Sequence, residues 1–436
     1  MIDRVVKSLR DLTTFYFGEV LKMQDYTWNP IFNLVIKIKN DYINTFGSLD
    51  TYEFNEWMER LDKRQYNDIF SHLKVKQVNN NILIRYDTED MDRDMWKDPD
   101  SIFRECRSIV IDLVNEELVI VPFKKFFNLN EVQENRIENI EKELTNAKSI
   151  EITDKLDGSM QCARYYKGEV FITGSMALDR KNSWRLEDGF SKLSQNHLQM
   201  ITQNPDFTFI FEYISIRDSH VVTYKPHQEG MYLIGIRNVF DGRQLSYKEI
   251  KDYSCKYGVP MTQIEGCSFE KIMQDAKKLK SGEKEGWVIN IDGHMVKLKC
   301  DDYVDLHRVL NRFSSVNTII KCIADNTYDD LISKVPDNYR DRINKIAKYI
   351  YGYLNSMNEK VEMYYKKAPI DDRKEYMIWV TVNCPVEIQG YMRQKYLGAE
   401  YHVLKTCYQK STKYKKLHEM GLEEELFAFS DELEAI

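Results

Sequence analysis

Lys155, Asp157 and Gly158 fall together in Thr153-Asp154-Lys155-Leu156-Asp157-Gly158-Ser159. A lysine at a strand end can be pointed into a cleft. Neighbours that lower its pKa from about 10.4 make its free amine a nucleophile. Gly158 permits a tight turn and a close approach by a phosphate. Asp157 could orient the amine or hold a metal. Alone, Lys-x-Asp-Gly is weak evidence, because such a tetrapeptide is usually a polar turn between strands.

Four other stretches gain meaning beside Lys155. Glu105-Cys106-Arg107 puts an always-charged guanidinium, suited to bidentate phosphate contact, just before an apolar run. Alone, Arg107 reads as a surface residue. Lys124-Lys125-Phe126-Phe127 offers charge for phosphates and a ring for a base, or simply a strand end packing one ring into the core. Glu212 interrupts the apolar strand Phe209 to Ile214. A carboxylate there needs a hydroxyl, a cation or a metal; a ribose hydroxyl is one partner and a structural salt bridge is the competing one. Lys297 and Lys299 are two apart on a strand and share a face. They repel unless an anion lies between them, and they would depress the pKa of a nearby lysine. Glu285, on the preceding strand, could hold Mg²⁺.

The elements that position these residues form an α+β pattern. Residues 1 to about 75 look mainly helical, with Phe54, Trp57, Met58 and Leu61 at helical spacing. Strand-like runs follow at Ile82 to Tyr86, Ser108 to Leu113, Leu118 to Phe123, Ser149 to Thr153, Met160 to Tyr166, Val170 to Thr173, Phe207 to Ile214, Met231 to Asn238, Gly286 to Asn290 and Met295 to Lys299. Helices are expected over Glu134 to Ala147, Ser183 to Thr202, Tyr247 to Tyr257 and Ser268 to Leu279. From about 302 the pattern is helical throughout. This divides the chain into a mainly helical extension (1–78), a catalytic α+β domain (79–305) and an all-helical C-terminal domain (306–436). In the last, Tyr364-Tyr365-Lys366-Lys367 and the basic run 410–416 suit phosphate contact and base stacking, or a solvated helix face.

Composition narrows the class. With 43% apolar and 30% charged residues the chain reads as an ordinary soluble protein. No run approaches a membrane span, and Met1-Ile2-Asp3-Arg4 opens no signal peptide. The eight cysteines show no zinc spacing and read as reduced thiols of an intracellular, cytoplasmic protein. A net charge of -7 argues against non-specific DNA coating but allows a local basic cleft.

Taken in order, these stretches resemble the nucleotidyltransferase superfamily of ATP-dependent polynucleotide ligases and mRNA capping enzymes. Lys155 to Ser159 looks like its first motif, Phe211-Glu212-Tyr213 its third, Glu285-Gly286 its fourth and Val296 to Lys299 its fifth. Tyr232 to Arg237 falls where the motif between the third and fourth belongs. Glu105-Cys106-Arg107, Lys125 to Glu131 and Tyr303 to His307 are similar to the phage-type, tRNA-repair RNA ligases. The resemblance covers about 80 to 308. One departure is Thr173, where some relatives place a lysine.

The resemblance implies a nucleotidyltransferase (ATP-grasp-like ligase) domain of antiparallel sheets with flanking helices. It implies ATP as AMP donor and Mg²⁺, with Mn²⁺ as an alternative. Lys155 is implied to form lysyl-AMP, with Lys297 and Lys299 stabilising the α-phosphate and Asp157 supporting the later steps. The nucleotide set is Arg107, Lys125, Phe127, Asp154, Lys155, Gly158, Glu212, Tyr232, Lys297 and Lys299, and Glu285 holds the metal. The implied partner is RNA with 5′-phosphate and 3′-hydroxyl ends, a nicked tRNA being one candidate, with a functional link to a polynucleotide kinase-phosphatase and no membrane. Three rivals share parts of this pattern: a DNA ligase, a GTP-using capping enzyme, and a catalytically dead RNA-binding protein.

Overall fold

A computed structural model of the chain describes residues 26–61, 65–87, 93–218, 220–280, 282–304, 319–320, 322–323, 327–332, 335 and 337–398. The basic run 410–416, the acidic C-terminus and residues 305–318 lie outside these residues. The chain divides into two compact units, Met1–Asp301 and Asp302–Ile436.

The first unit begins with helices α1 (Pro30–Phe46), α2 (Phe54–Arg60) and the single turn α3 (Asn67–Phe70). Asn29 caps α1 by accepting the Phe32 N–H, and Pro30 occupies its first turn. Ile31, Val35, Ile38 and Tyr42 recur at helical spacing and are fully buried. They pack on a four-stranded antiparallel sheet of β1 (Leu73–Val78), β2 (Asn81–Tyr86), β3 (Arg107–Asp112) and β4 (Glu117–Ile120). Ile82, Ile84, Ile109 and Ile111 face these helices, whereas Leu83, Val110 and Val119 face the opposite way. The two-residue period of the strands produces that division. The segment read as a helical extension over 1–78 therefore shares a core with the strands, and its last six residues are β1.

After β5 (Phe127–Asn128) and helix α4 (Ile137–Asn146) come β6 (Ile150–Lys155), β7 (Ser159–Tyr166) and β8 (Glu169–Thr173). Helices α5 (Trp184–Ser191) and α6 (Gln195–Gln203) stand where a single helix over Ser183 to Thr202 was expected. Ser194 makes the break: its hydroxyl accepts the His197 N–H while His197 Nδ1 accepts the Ser194 N–H, which starts a new helix.

Then follow β9 (Phe207–Ile214), β10 (Gly230–Asn238), α7 (Tyr247–Tyr257), α8 (Phe269–Asp275), β11 (Gly286–Ile291) and β12 (His294–Lys299). They complete a second sheet ordered β10-β9-β7-β8 and a third ordered β5-β12-β11-β6. All pairings are antiparallel except β5 with β12. β9 is buried on both faces: Phe209, Phe211 and Tyr213 pack under α6 and α7, and Ile210 packs against Val110 and Ile120 of the first sheet. A strand covered on both sides reads as a continuous apolar run.

The β6–β7 connection presses on β9. A Cβ at Gly158 would lie 2.3 Å from the Tyr213 carbonyl oxygen and 2.7 Å from Ile214 Cδ1. Strand packing thus by itself requires the glycine.

The second unit is helical among its described residues. Its long helices are Asp337–Tyr365, Arg373–Asn383 and Val386–Tyr396. Met357, Val361, Tyr376, Val380, Ile388 and Met392 form its core, and Tyr376 Oη donates to Met392 O at 2.7 Å. Tyr364 and Tyr365 pack against that core, and only Lys366 and Lys367 are exposed. The two rings are therefore engaged in packing. Among the described residues of the chain, no helix is long and apolar enough to cross a membrane.

The Gly158 contact yields a stability prediction. Gly158→Ala should destabilise the first unit by about 1–3 kcal/mol, because the obstacle is backbone that cannot rotate away. A lower thermal midpoint in calorimetry checks it, and a midpoint equal to wild type contradicts it.

Candidate active site

Three strand ends of the third sheet meet at one point. Gly286, the first residue of β11, pairs with Lys155 at the end of β6 and with Lys299 at the end of β12. Gly286 has φ of +150°, and a Cβ there would meet the Leu298 carbonyl oxygen at 2.0 Å. Only glycine fits this position. Glu285, just before it, is buried and inserts between the two lysines. Its Oε2 is 2.5 Å from Lys155 Nζ and its Oε1 is 2.9 Å from Lys299 Nζ.

The charges set one another. Burial alone would push the Lys155 ammonium down, but the carboxylates of Glu285, Glu212 and Asp157 outweigh it and hold its pKa above the ordinary lysine value. The sequence expectation of a depressed Lys155 is thus corrected for the ligand-free protein. The depressed lysine is Lys297. Burial, then the cations Arg107, Lys155, Lys125 and Lys299, drives it well below the ordinary range. Glu285 is held low by Lys155 and Lys299 despite its burial. Glu212 is pushed up to about 7, first by burial and then by the negative charge of Glu285, against the pull of Lys155.

A cavity of about 220 Å³ opens beside this cluster. Arg107, Lys155, Lys297 and Lys299 supply its cations, and Phe126, Met160, Ile234, Val288 and Met295 its apolar wall. Lys297 Nζ and Arg107 Cζ lie 4.5 and 5.1 Å from the centre of the Phe126 ring. Arg107 Nη1 is buried without a hydrogen-bond partner. Clustered cations, one of them with an orphaned buried donor, suit an anion.

The structure places the other expected residues in several ways. Asp154 borders the cavity and pairs with Lys284 at 2.6 Å. Glu212 Oε1 accepts the Gly158 N–H at 2.9 Å and also borders the cavity. Asp157 turns to the backbone: its Oδ2 accepts from Val221 N at 2.8 Å and Val222 N at 2.7 Å. Lys125 lies in a cage of Tyr86, Trp96 and Phe127, 4.7 to 5.1 Å from their ring centres, and does not line the cavity. Thr173 is buried and could not carry a solvated lysine without rearrangement.

One assignment is corrected. Phe127 is buried against Trp96, and Phe126 is the ring at the cavity; adjacent residues of an extended chain face opposite ways. Tyr232 lines a second cavity, of about 270 Å³, which Asp154, Lys155 and Glu285 also border, and its Oη donates to Gln228 O. Ile234, beyond it on β10, faces the first cavity instead. Ile234, Val288, Met160 and Met295 escaped sequence reading because aliphatic residues in strands look like core. Among the described residues, no group of three or more His, Cys, Asp or Glu gathers to hold a metal.

A strand-end lysine and a bridging glutamate thus stand beside a cation-ringed, apolar-walled cavity. Residues 105–303, from Glu105 to Tyr303, match the model of the RNA ligase family, so this segment carries that family's sequence pattern. A protein of Autographa californica nuclear polyhedrosis virus, described as a bifunctional polynucleotide kinase/RNA ligase, is 22% identical over 274 residues, which are 58% of this chain and 37% of that protein. Naegleria gruberi RNA ligase with PPi is similar at 19% identity, with a TM-score of 0.33 over 40% of this chain and 56% of that one. A mutant form of it with AMP and Mn gives 18% identity and a TM-score of 0.33 over 39% and 55%. The chain thus spans about a third of the viral relative and just over half of the ligase structures.

Glu212 makes the site's stability depend on pH. Its folded pKa of about 7 lies above its ordinary 4.5, so the folded state binds the extra proton between those values. This contribution is present at low pH and is lost as pH rises towards 7. Relative to Glu212→Gln, the ligand-free wild type should lose stability from pH 5 to 7 and change little beyond. Thermal melts of both proteins across that range check it, and parallel curves contradict it.

Proposed function

We propose that the protein is an ATP-dependent RNA ligase that joins 5′-phosphate to 3′-hydroxyl ends. One observation carries the reading: Lys155 borders an apolar-walled cavity that Arg107, Lys297 and Lys299 ring with charge. The match of 105–303 to the RNA ligase family supports it.

Lys155 Nζ, once it has given up its proton, attacks the α-phosphorus of ATP. The N–P bond forms, the P–O bond to the β-phosphate breaks, and pyrophosphate leaves with the electron pair. A 5′-phosphate oxygen of RNA then attacks the same phosphorus, the N–P bond breaks, and the lysine takes up a proton. Finally, the 3′-hydroxyl attacks the activated 5′-phosphate, loses its proton, and AMP departs.

Each side chain has a task in these steps. Glu285 holds Lys155 in place, and its negative charge must be offset before the amine is free. The triphosphate brings negative charge to Arg107, Lys297 and Lys299, which raises the pKa of Lys297, and the three cations stabilise the phosphorus in transit. Ile234, Val288 and Phe126 make the wall for the base, and Glu212 reaches the ribose. Lys125, fixed by its rings, contributes long-range charge to the phosphate tail. Asp157 acts by anchoring the 221–222 backbone beside the turn.

A divalent ion fits this donor set in one way. Glu285 is the single carboxylate at the lysine pair, which suits Mg²⁺ or Mn²⁺ held chiefly by water and substrate phosphates. The ion would neutralise phosphate charge. We assign RNA-end specificity to the C-terminal region 306–436 and a nicked tRNA as the candidate RNA. The viral relative's description couples ligase with polynucleotide kinase, and we extend that link to a kinase-phosphatase that prepares the ends. The free cysteines Cys106, Cys162, Cys255, Cys267, Cys300, Cys322 and Cys384 suit a reducing compartment such as the cytoplasm.

The test is sealing of a 5′-labelled oligoribonucleotide with a free 3′-hydroxyl, with ATP and Mg²⁺. Sealing should depend on ATP and fall by about 10²–10³-fold in Lys297→Ala. Transfer from GTP without sealing would favour the capping enzyme, and equal or better sealing of nicked duplex DNA the DNA ligase.

A further inference from the structure

Beside the Lys155 turn lies a surface built on Trp184, the first residue of α5. Arg217 and Arg185 both stack on its ring, with guanidinium carbons 4.2 and 4.8 Å from the ring centre. Stacking of this kind fixes a guanidinium plane while leaving its edge donors free.

The two arginines are anchored differently. Arg185 Nε donates to Asp218 Oδ1 at 2.7 Å, which leaves its terminal amino groups available. Asp218 is buried, and its Oδ2 accepts the Ser159 hydroxyl at 2.6 Å and lies 3.7 Å from His220 Nε2. Both oxygens of Asp218 are thus committed. Arg217 is exposed and makes no ion pair among the described residues.

This surface is fixed relative to the nucleophile. Ser159 follows Gly158, whose N–H is held by Glu212 on β9. The turn Ile216–Asp218, which carries Arg217, comes directly after β9. None of Trp184, Arg185 and Arg217 lines either cavity, so their charge is not spent on the nucleotide site.

We infer that Arg217, held over the Trp184 ring and assisted by Arg185, binds a backbone phosphate of the RNA strand whose end is being joined. This rests on the ligase reading, which supplies the polyanion. A guanidinium edge matches a phosphodiester through paired N–H donors. Such a contact positions a strand without reading its sequence.

The experiment measures binding of a short 5′-phosphorylated single-stranded oligoribonucleotide to the full chain, by fluorescence anisotropy, over roughly 50 to 200 mM salt. Arg217→Gln should raise Kd about tenfold, as loss of a charge-assisted hydrogen bond does. It should also make the slope of log affinity against log salt shallower by about 0.7. Trp184→Leu should weaken binding, and Arg217→Lys should restore the salt slope but only part of the affinity. Kd and slope equal to wild type in Arg217→Gln overturn the inference.

Lysyl-AMP formation in the same preparations separates the two readings. Adduct formation with undiminished RNA binding by Arg217→Gln overturns the phosphate site and leaves the ligase standing. No adduct in wild type overturns the ligase, while salt-dependent loss of RNA binding in Arg217→Gln still upholds the phosphate site.

Discussion

Glu285 is the constraint on which the site depends. It is a buried carboxylate with one oxygen on Lys155 and the other on Lys299. Two lysines on the strands either side of β11 would repel each other. The carboxylate between them fixes both, and Gly286 leaves the room for this by having no side chain. Removing one partner of such a cluster leaves an uncompensated charge, which is costlier than never having buried it. Among the described residues, Lys297 has no ion pair and Arg107 has an orphaned donor. The ligand-free site is therefore internally balanced at its centre and unbalanced at its rim, where an anion belongs.

This balance explains how a lysine with a raised pKa can still be a nucleophile. In the ligand-free protein Lys155 is tied to Glu285, which with Glu212 and Asp157 holds its pKa above the ordinary lysine value. On the proposed reading, a triphosphate among Arg107, Lys297 and Lys299 would compete for those cations, and a divalent ion at Glu285 would compete for the carboxylate. Activation of the amine would then require nucleotide and metal together.

Much of this was legible in the sequence, and the rest failed for identifiable reasons. β9 and α7 match their expected bounds because their patterns are unbroken: a continuous apolar run in one, a Ser246 cap and a closing Gly258 in the other. Lys155, Glu212, Glu285, Lys297 and Lys299 could be singled out because charge in apolar strands is rare and two-residue spacing fixes a face. Phe127 was chosen over Phe126 because nothing in a Phe-Phe pair says which ring turns inward. Ile234 escapes notice because aliphatic cavity walls look like any core, while the Tyr232 ring suggests a base. The direction of the Lys155 shift depends on Glu285, which is 130 residues away in sequence. The single helix over Ser183 to Thr202 ignored Ser194 as a cap.

The central claim is that Lys155 is the nucleophile, and the most direct measurement is covalent labelling with α-labelled ATP and Mg²⁺ on a denaturing gel. Wild type should carry label and Lys155→Ala none. Label persisting in Lys155→Ala, or none on wild type after pyrophosphate has stripped any adduct already present, would contradict it.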